Sequence, residues 1–140
     1  MSARFFLDTN VFVYAFDQHA PRKSASASEL IREALRSRNG IVSFQIVQEF
    51  FNVALRRFAH PMNAADAEQY LATTLRPLLA VQSSTALYAE ALRLSSSYSL
   101  SWYDSVVVAA AIEGGAHILF SEDFQHGQEF GSLRIEDPFR

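Results

Sequence analysis

The sequence predicts an α/β protein with three layers, helices covering both faces of a central parallel sheet of about five short strands. Three observations predict it. Short apolar runs recur along the chain, each run is followed by a segment with helical spacing, and no repeat or low-complexity stretch interrupts the alternation. With 140 residues and 49% hydrophobic content, the chain is expected to form one domain, 1–140, around a substantial core.

The elements follow in order. Ala3–Leu7 is an aromatic-rich buried strand that ends at the polar turn Asp8-Thr9-Asn10. Val11 to Phe16 forms a short apolar helix. Pro21 suits the first turn of a helix to Ser37, with Leu30, Ile31, Ala34 and Leu35 on one face and Asn39-Gly40 as its stop. Ile41-Val42-Ser43 is the second strand. The helix after it carries Ile46, Val47, Phe50, Phe51, Val53, Ala54 and Leu55 and ends near Arg57. Asn63 caps the next helix, with Asp66 in the capping-box position, and Pro77 ends it. Leu78–Val81 is the third strand, and Thr85 caps a helix to about Ser97. Ser101 caps a helix from Trp102 to Glu113, which stops at Gly114-Gly115. His117–Phe120 is the fourth strand, and Leu133–Ile135 a fifth at the edge.

Composition narrows the chemistry. The absence of Cys excludes disulfides, thiolate metal sites and a catalytic thiol. No apolar run approaches the roughly 20 residues of a membrane-spanning helix, and Met1-Ser2-Ala3-Arg4-Phe5 does not read as a leader, so a cytoplasmic protein is expected. The formal net charge of −3 neither favours nor excludes a nucleic-acid substrate. Acids gathered round a cation would reverse their local sign, and the basic residues are almost all Arg, the better bidentate phosphate partner. Arg22, Arg56 and Arg57 are candidate phosphate contacts.

Ligands of open parallel sheets bind beyond the carboxyl ends of the strands. Asp8 follows the first strand there and Asp123 the fourth. Glu49 lies in the first two turns of the helix after strand two, and Asp104 in the first turn of the helix after the Ser99–Ser101 link. Each has an ordinary explanation: Asp8 as a helix cap, Glu49 as a solvated helical acid, Asp104 as a dipole partner, Asp123 as a loop acid next to Glu122. Together they predict one acidic cluster, and such a cluster is costly without a cation. The four His are scattered, so oxygen ligands point to Mg²⁺ or Mn²⁺ rather than Zn²⁺.

Four segments carry a family resemblance: Leu7-Asp8-Thr9-Asn10-Val11, Gln48-Glu49-Phe50, Tyr103-Asp104-Ser105 and Leu119-Phe120-Ser121-Glu122-Asp123-Phe124. In this order the chain resembles the PIN-domain family, and most of all the VapC-type toxin ribonucleases of type II toxin–antitoxin pairs. The resemblance implies that Asp8, Glu49, Asp104 and Asp123 are the catalytic, metal-holding acids. It implies supporting places for Asn10 and Ser121, and leaves Glu122 as an extra ligand or a bystander. It also implies endoribonuclease chemistry in which metal-activated water attacks the phosphodiester, an RNA substrate, a cognate antitoxin and a homodimer. Phe12, Phe16, Phe50, Phe51 and Phe58 are more aromatic surface than the early helices need internally, and so are candidates for those protein contacts.

Other readings fit less well. A haloacid-dehalogenase-type phosphatase needs an Asp where Asn10 stands, and with Lys23 the only lysine a response-regulator receiver also fails. A Rossmann site needs a Gly-rich first turn, which Asp8-Thr9-Asn10 lacks. A silent PIN-fold binding module and a housekeeping RNA-processing nuclease are the remaining alternatives.

Overall fold

The computed structural model describes residues 3–140; Met1 and Ser2, part of the segment read against a leader, lie outside the described residues. The chain runs β1 (Phe5–Leu7), α1 (Thr9–Tyr14), α2 (Pro21–Ser37), β2 (Gly40–Ser43), α3 (Phe44–Ala54) and α4 (Ala64–Tyr70). A π-helical turn (Leu71–Leu75) and the short α5 (Arg76–Leu78) lead into β3 (Leu79–Val81), then α6 (Thr85–Tyr98), α7 (Trp102–Glu113), β4 (Ile118–Phe120), β5 (Glu129–Phe130) and β6 (Leu133–Glu136).

The strands form a single six-stranded sheet in the order β3-β2-β1-β4-β6-β5. All neighbours pair in parallel except β5 with β6. β1 is central, and the chain builds outward from it first through β2 and β3, then on the other side through β4 and β6. The direction of winding therefore changes between β1 and β4, and a crevice opens at that point beyond the carboxyl ends of the strands. Asp8 N–H donates to Phe120 O at 3.0 Å, so the two strand ends are tied together where the crevice begins.

The strands are short and buried because both faces are covered. β1 and β2 have no exposed residue, as expected of strands inside a parallel sheet. α7 is buried from Ser105 to Ala111 without a break. A helix apolar all round belongs inside, and α7 packs against α6, β2 and β4.

Several expectations are corrected. Asn39-Gly40 does not stop α2; Arg38 closes it in the left-handed conformation (φ 64), and Gly40 opens β2. Its need for glycine is steric, since a Cβ there would lie 2.2 Å from that of Ala34. The cap of α6 is Ser84, which accepts from Leu87 N–H, rather than Thr85. The helix after Asn63 does not end before Pro77 but passes through the π turn into α5, which holds Pro77 in its first turn. β5 makes a sixth strand, joined to β6 by the two-residue turn Gly131-Ser132, with Gly131 at φ 63.

The aromatic surplus also resolves differently. Phe12 and Phe50 are fully buried and belong to the core, and Phe51 and Phe58 are partly buried against it. Only Phe16, at 40% exposed, is open to solvent among the five. Phe16 lies against Phe50, Phe58 and Tyr70 at 6.0, 5.3 and 5.3 Å between ring centres. These rings tie the end of α1 to α3 and α4, and a cavity of about 460 Å³ opens beside them, lined by Val13, Phe16, His19, Val53, Arg57 and Phe58 among others.

Candidate active site

The crevice between β1 and β4 collects the acids. Asp8 ends β1 and is the N-cap of α1, with extended backbone (φ −74, ψ 164). Its carboxylate accepts from Thr9 N–H at 2.8 Å and from Ser121 Oγ at 2.6 Å. Only 5% of the residue is exposed. Burial pushes its pKa up to about 7 against the pull of those two donors, and the charges of Asp123 and Glu49 add to the rise.

Ser121, fully buried after β4, is the junction of the site. Its hydroxyl donates to Asp8 and accepts from Asp123 N–H at 3.1 Å and Asn10 Nδ2 at 3.4 Å. One donor and two acceptor positions are thus all used. Asp123 stands beyond it, exposed at the rim. Partial burial raises its pKa, the charges of Asp104, Glu122 and Glu49 raise it further, and the Asn10 amide opposes them.

Glu49 faces the same crevice from α3. Thr9 Oγ1 donates to its Oε1 at 2.6 Å, and Gln45 Nε2 to its Oε2 at 3.1 Å. Asp104 enters from the first turn of α7. The N-cap Ser101 accepts from Asp104 N–H at 3.2 Å, and the Asp104 carboxylate has no protein donor among the described residues. The charges of Asp123 and Glu49 reach Asp8, and those of Asp104, Glu122 and Glu49 reach Asp123.

Glu122 is engaged elsewhere. Tyr14 Oη donates to its Oε1 at 2.5 Å and Lys23 Nζ to its Oε2 at 3.0 Å. Lys23 lies 4.6 Å from the centre of the Tyr14 ring, and Tyr14 packs edge-on against Phe139. This clamp joins α1, α2, the loop after β4 and the C-terminal residues. Arg22, Arg56 and Arg57 are all exposed, and Arg57 lines the cavity beside Phe16.

Among the described residues, no three His, Cys, Asp or Glu side chains are drawn together tightly enough to hold a metal ion by themselves. The chemistry of the donors nevertheless fits a hard cation. The buried oxygen Asn10 Oδ1, beside Ser121 and Asp123, has no hydrogen-bond partner among the described residues, and Mg²⁺ is commonly held by one or two carboxylates with waters completing its shell.

The comparisons with known proteins bear on this arrangement. The PIN domain matches residues 5–128 of the sequence, most of the chain. The chain belongs to the PIN-domain family. No curated protein sequence matches it. Among solved structures, this PIN domain is similar to a toxin–antitoxin complex from Klebsiella pneumoniae, with a TM-score of 0.66, 17% identity and 98% of each chain covered. It is similar to VapBC2 from Rickettsia felis, bound to a DNA fragment from their promoter, with a TM-score of 0.67 and 16% identity over 94% of this chain and 96% of that one. VapC20 from Mycobacterium tuberculosis, described as a sarcin–ricin-loop-cleaving toxin, gives a TM-score of 0.60 and 18% identity over 85% of this chain and 91% of that one. At such identities the likeness establishes the fold. The VapC-type resemblance read from the sequence is matched by structural neighbours from toxin–antitoxin systems.

Sequence reasoning did not assign roles to Thr9, Gln45, Tyr14 or Lys23. Gln45 had a signal, since it precedes Glu49 by one helical turn, where side chains meet. Tyr14 and Lys23 had none, because their partner Glu122 lies far along the chain.

Proposed function

We propose that this PIN domain is a Mg²⁺- or Mn²⁺-dependent endoribonuclease with Asp8, Glu49, Asp104 and Asp123 as its acidic site. The observation that carries the reading is the supply of these four acids by four separate segments beside the β1–β4 crevice, where the charges of Asp123 and Glu49 reach Asp8 and those of Asp104 and Glu49 reach Asp123. Repulsion of this kind is retained at a cost to stability, and a divalent cation relieves it.

When bound, the cation supplies activation of water and stabilisation of charge developing on the scissile phosphate. The protein's own contribution is positioning. Ser121 and Thr9 N–H hold the Asp8 carboxylate, and Thr9 Oγ1 and Gln45 hold that of Glu49. Asp104 and Asp123, at the more open side, keep oxygens free to meet cation, water and substrate. Asn10 supports Asp123 through its amide, and Glu122, occupied by Tyr14 and Lys23, is a bystander.

We read the protein as the toxin of a toxin–antitoxin pair. Its structural neighbours come from such systems, and the exposed aromatic Phe16 and its cavity offer contact area to a protein partner. On this reading it acts on RNA in the cytoplasm, inhibits translation until a cognate antitoxin binds, and forms a homodimer. Among the described residues no helix is long and apolar enough to cross a membrane.

Incubation of the purified protein with RNA tests the chemistry. Cleavage should require Mg²⁺ or Mn²⁺ and stop in excess EDTA; cleavage that persists in EDTA refutes the metal mechanism. Expression without a partner should arrest growth, and Asp104→Asn should relieve the arrest. Unaffected growth together with metal-dependent cleavage would instead identify an RNA-processing nuclease.

A further inference from the structure

Gln45 is a polar residue that the packing of α3 alone does not explain. It stands in the first turn of the helix, is only 8% exposed, and yet carries an amide. Burial of an amide costs free energy unless its hydrogen bonds are made, and a Leu or Met would fill the same space without that cost. The amide makes two bonds, both from Nε2. One goes to Glu49 Oε2 at 3.1 Å and the other to the backbone carbonyl of Tyr103 at 3.2 Å. Both partners are acceptors, so the amide can sit only one way round. Its Oε1 is then left buried without a donor among the described residues.

The two partners belong to different halves of the site. Glu49 is an acid of the cluster, and Tyr103 immediately precedes Asp104 in the opening turn of α7. A single buried NH₂ group therefore spans the gap between α3 and α7 at the level of two of the four carboxylates. With Thr9 Oγ1 on the opposite oxygen of Glu49 at 2.6 Å, each oxygen of that carboxylate has one protein donor and keeps its other lone pair. A carboxylate held this way cannot swing, and its free lone pairs keep a fixed direction.

We infer that Gln45 is a positioning residue that fixes the Glu49 carboxylate and the start of α7, with Asp104, relative to one another. The inference rests on the acidic-site reading given above. Gln45 touches neither substrate nor cation; it acts through Glu49 and the Tyr103 carbonyl. Groups that orient metal-binding carboxylates typically matter by about 10–100-fold in metal affinity or activity when removed.

The test is a set of four proteins, wild type, Gln45→Met, Glu49→Gln and the double variant, with Mn²⁺ binding measured by electron paramagnetic resonance alongside RNA cleavage and thermal melting. Gln45→Met keeps the volume and removes the donors. It should weaken Mn²⁺ binding by about 10-fold or more while its melting temperature stays near that of wild type. In the Glu49→Gln background the same change should add little, because the group through which it acts is already gone. Gln45→Asn, too short to span both partners, should behave like Gln45→Met and covers the case in which Met disturbs the fold. Full Mn²⁺ affinity in Gln45→Met and Gln45→Asn, with affinity lost in Glu49→Gln, overturns the role of Gln45 alone. Independent, additive losses from Gln45→Met and Glu49→Gln also overturn it, since they leave Gln45 a packing role. If Glu49→Gln itself changes neither binding nor cleavage, the acidic-site reading fails first.

Discussion

The four acids divide into two pairs that the fold treats differently. Asp8 and Glu49 are held by protein donors on both carboxylate oxygens. Asp104 and Asp123 lie toward the solvent, and what binds them to the protein is mainly their own backbone N–H groups, each donating to a serine hydroxyl. Of the two pairs, the inner one is fixed before any ligand arrives. The outer one is free to adjust to it. At Asp8 the holding has a thermodynamic cost, because burial outweighs two good hydrogen bonds.

The contrast predicts opposite responses to substitution, and Asp8→Asn should show the largest. It should reduce metal-dependent cleavage by more than about 100-fold, since loss of an acid in the site exceeds loss of its supporting groups. In the cation-free protein it should also abolish the fall in stability between pH 5.5 and pH 8, because Asn carries no charge to bury, although its Nδ2 cannot accept from Ser121 as the carboxylate does. Stability that still falls over that pH range in the variant would break the reading of Asp8 as a charge held at a cost. Asp104→Asn and Asp123→Asn should likewise abolish cleavage, but with melting temperatures close to wild type.

A second response is to pH. Asp8 has a pKa of about 7 in the folded protein against 3.8 ordinarily, so between those values the folded state binds the extra proton. The cation-free protein should therefore gain stability as pH falls through 7 and lose it as pH rises, by about 2 kcal/mol between pH 5.5 and pH 8. Chemical denaturation at the two pH values measures this, and subtracting the same series for Asp8→Asn isolates the residue. Saturating Mn²⁺ should flatten the dependence, since a cation favours the charged carboxylate. The smallest effect belongs to Glu122. With its carboxylate occupied by Tyr14 and Lys23, Glu122→Gln should leave cleavage within about 3-fold of wild type, and a loss comparable to that of Asp123→Asn would return Glu122 to the acidic site.

What could be read in the sequence follows the range of the interactions. Asn63 and Ser101 as caps, Pro21 at the start of α2 and the strand-end positions of Asp8 and Asp123 depend on residues a few places away, and they were legible. The turn Gly131-Ser132 was equally local, but the two residues of β5 before it are too few to show a period. Gly40 was misread because a glycine near a helix end has a conventional meaning, whereas its actual constraint is the approach of Ala34 from the face of the sheet. The order of the strands was not legible, and the placing of the acids at one edge came from the carboxyl-end rule for parallel sheets and from the family resemblance. Their supporting contacts did not follow from either. Gln45 meets Tyr103 across 58 positions and Lys23 meets Glu122 across 99, and no local pattern encodes such pairs.

The clamp around Lys23 has a practical consequence. The chain holds one lysine, and that lysine is the cation that joins α2 to the loop carrying Asp123. An amine-reactive reagent thus finds a single side chain, partly open to solvent, and an acyl group placed there cancels the charge and leaves Tyr14 as the donor to Glu122. The rate at which Lys23 is labelled, told apart from any α-amine by peptide mass spectrometry, becomes a gauge of whether that loop is latched.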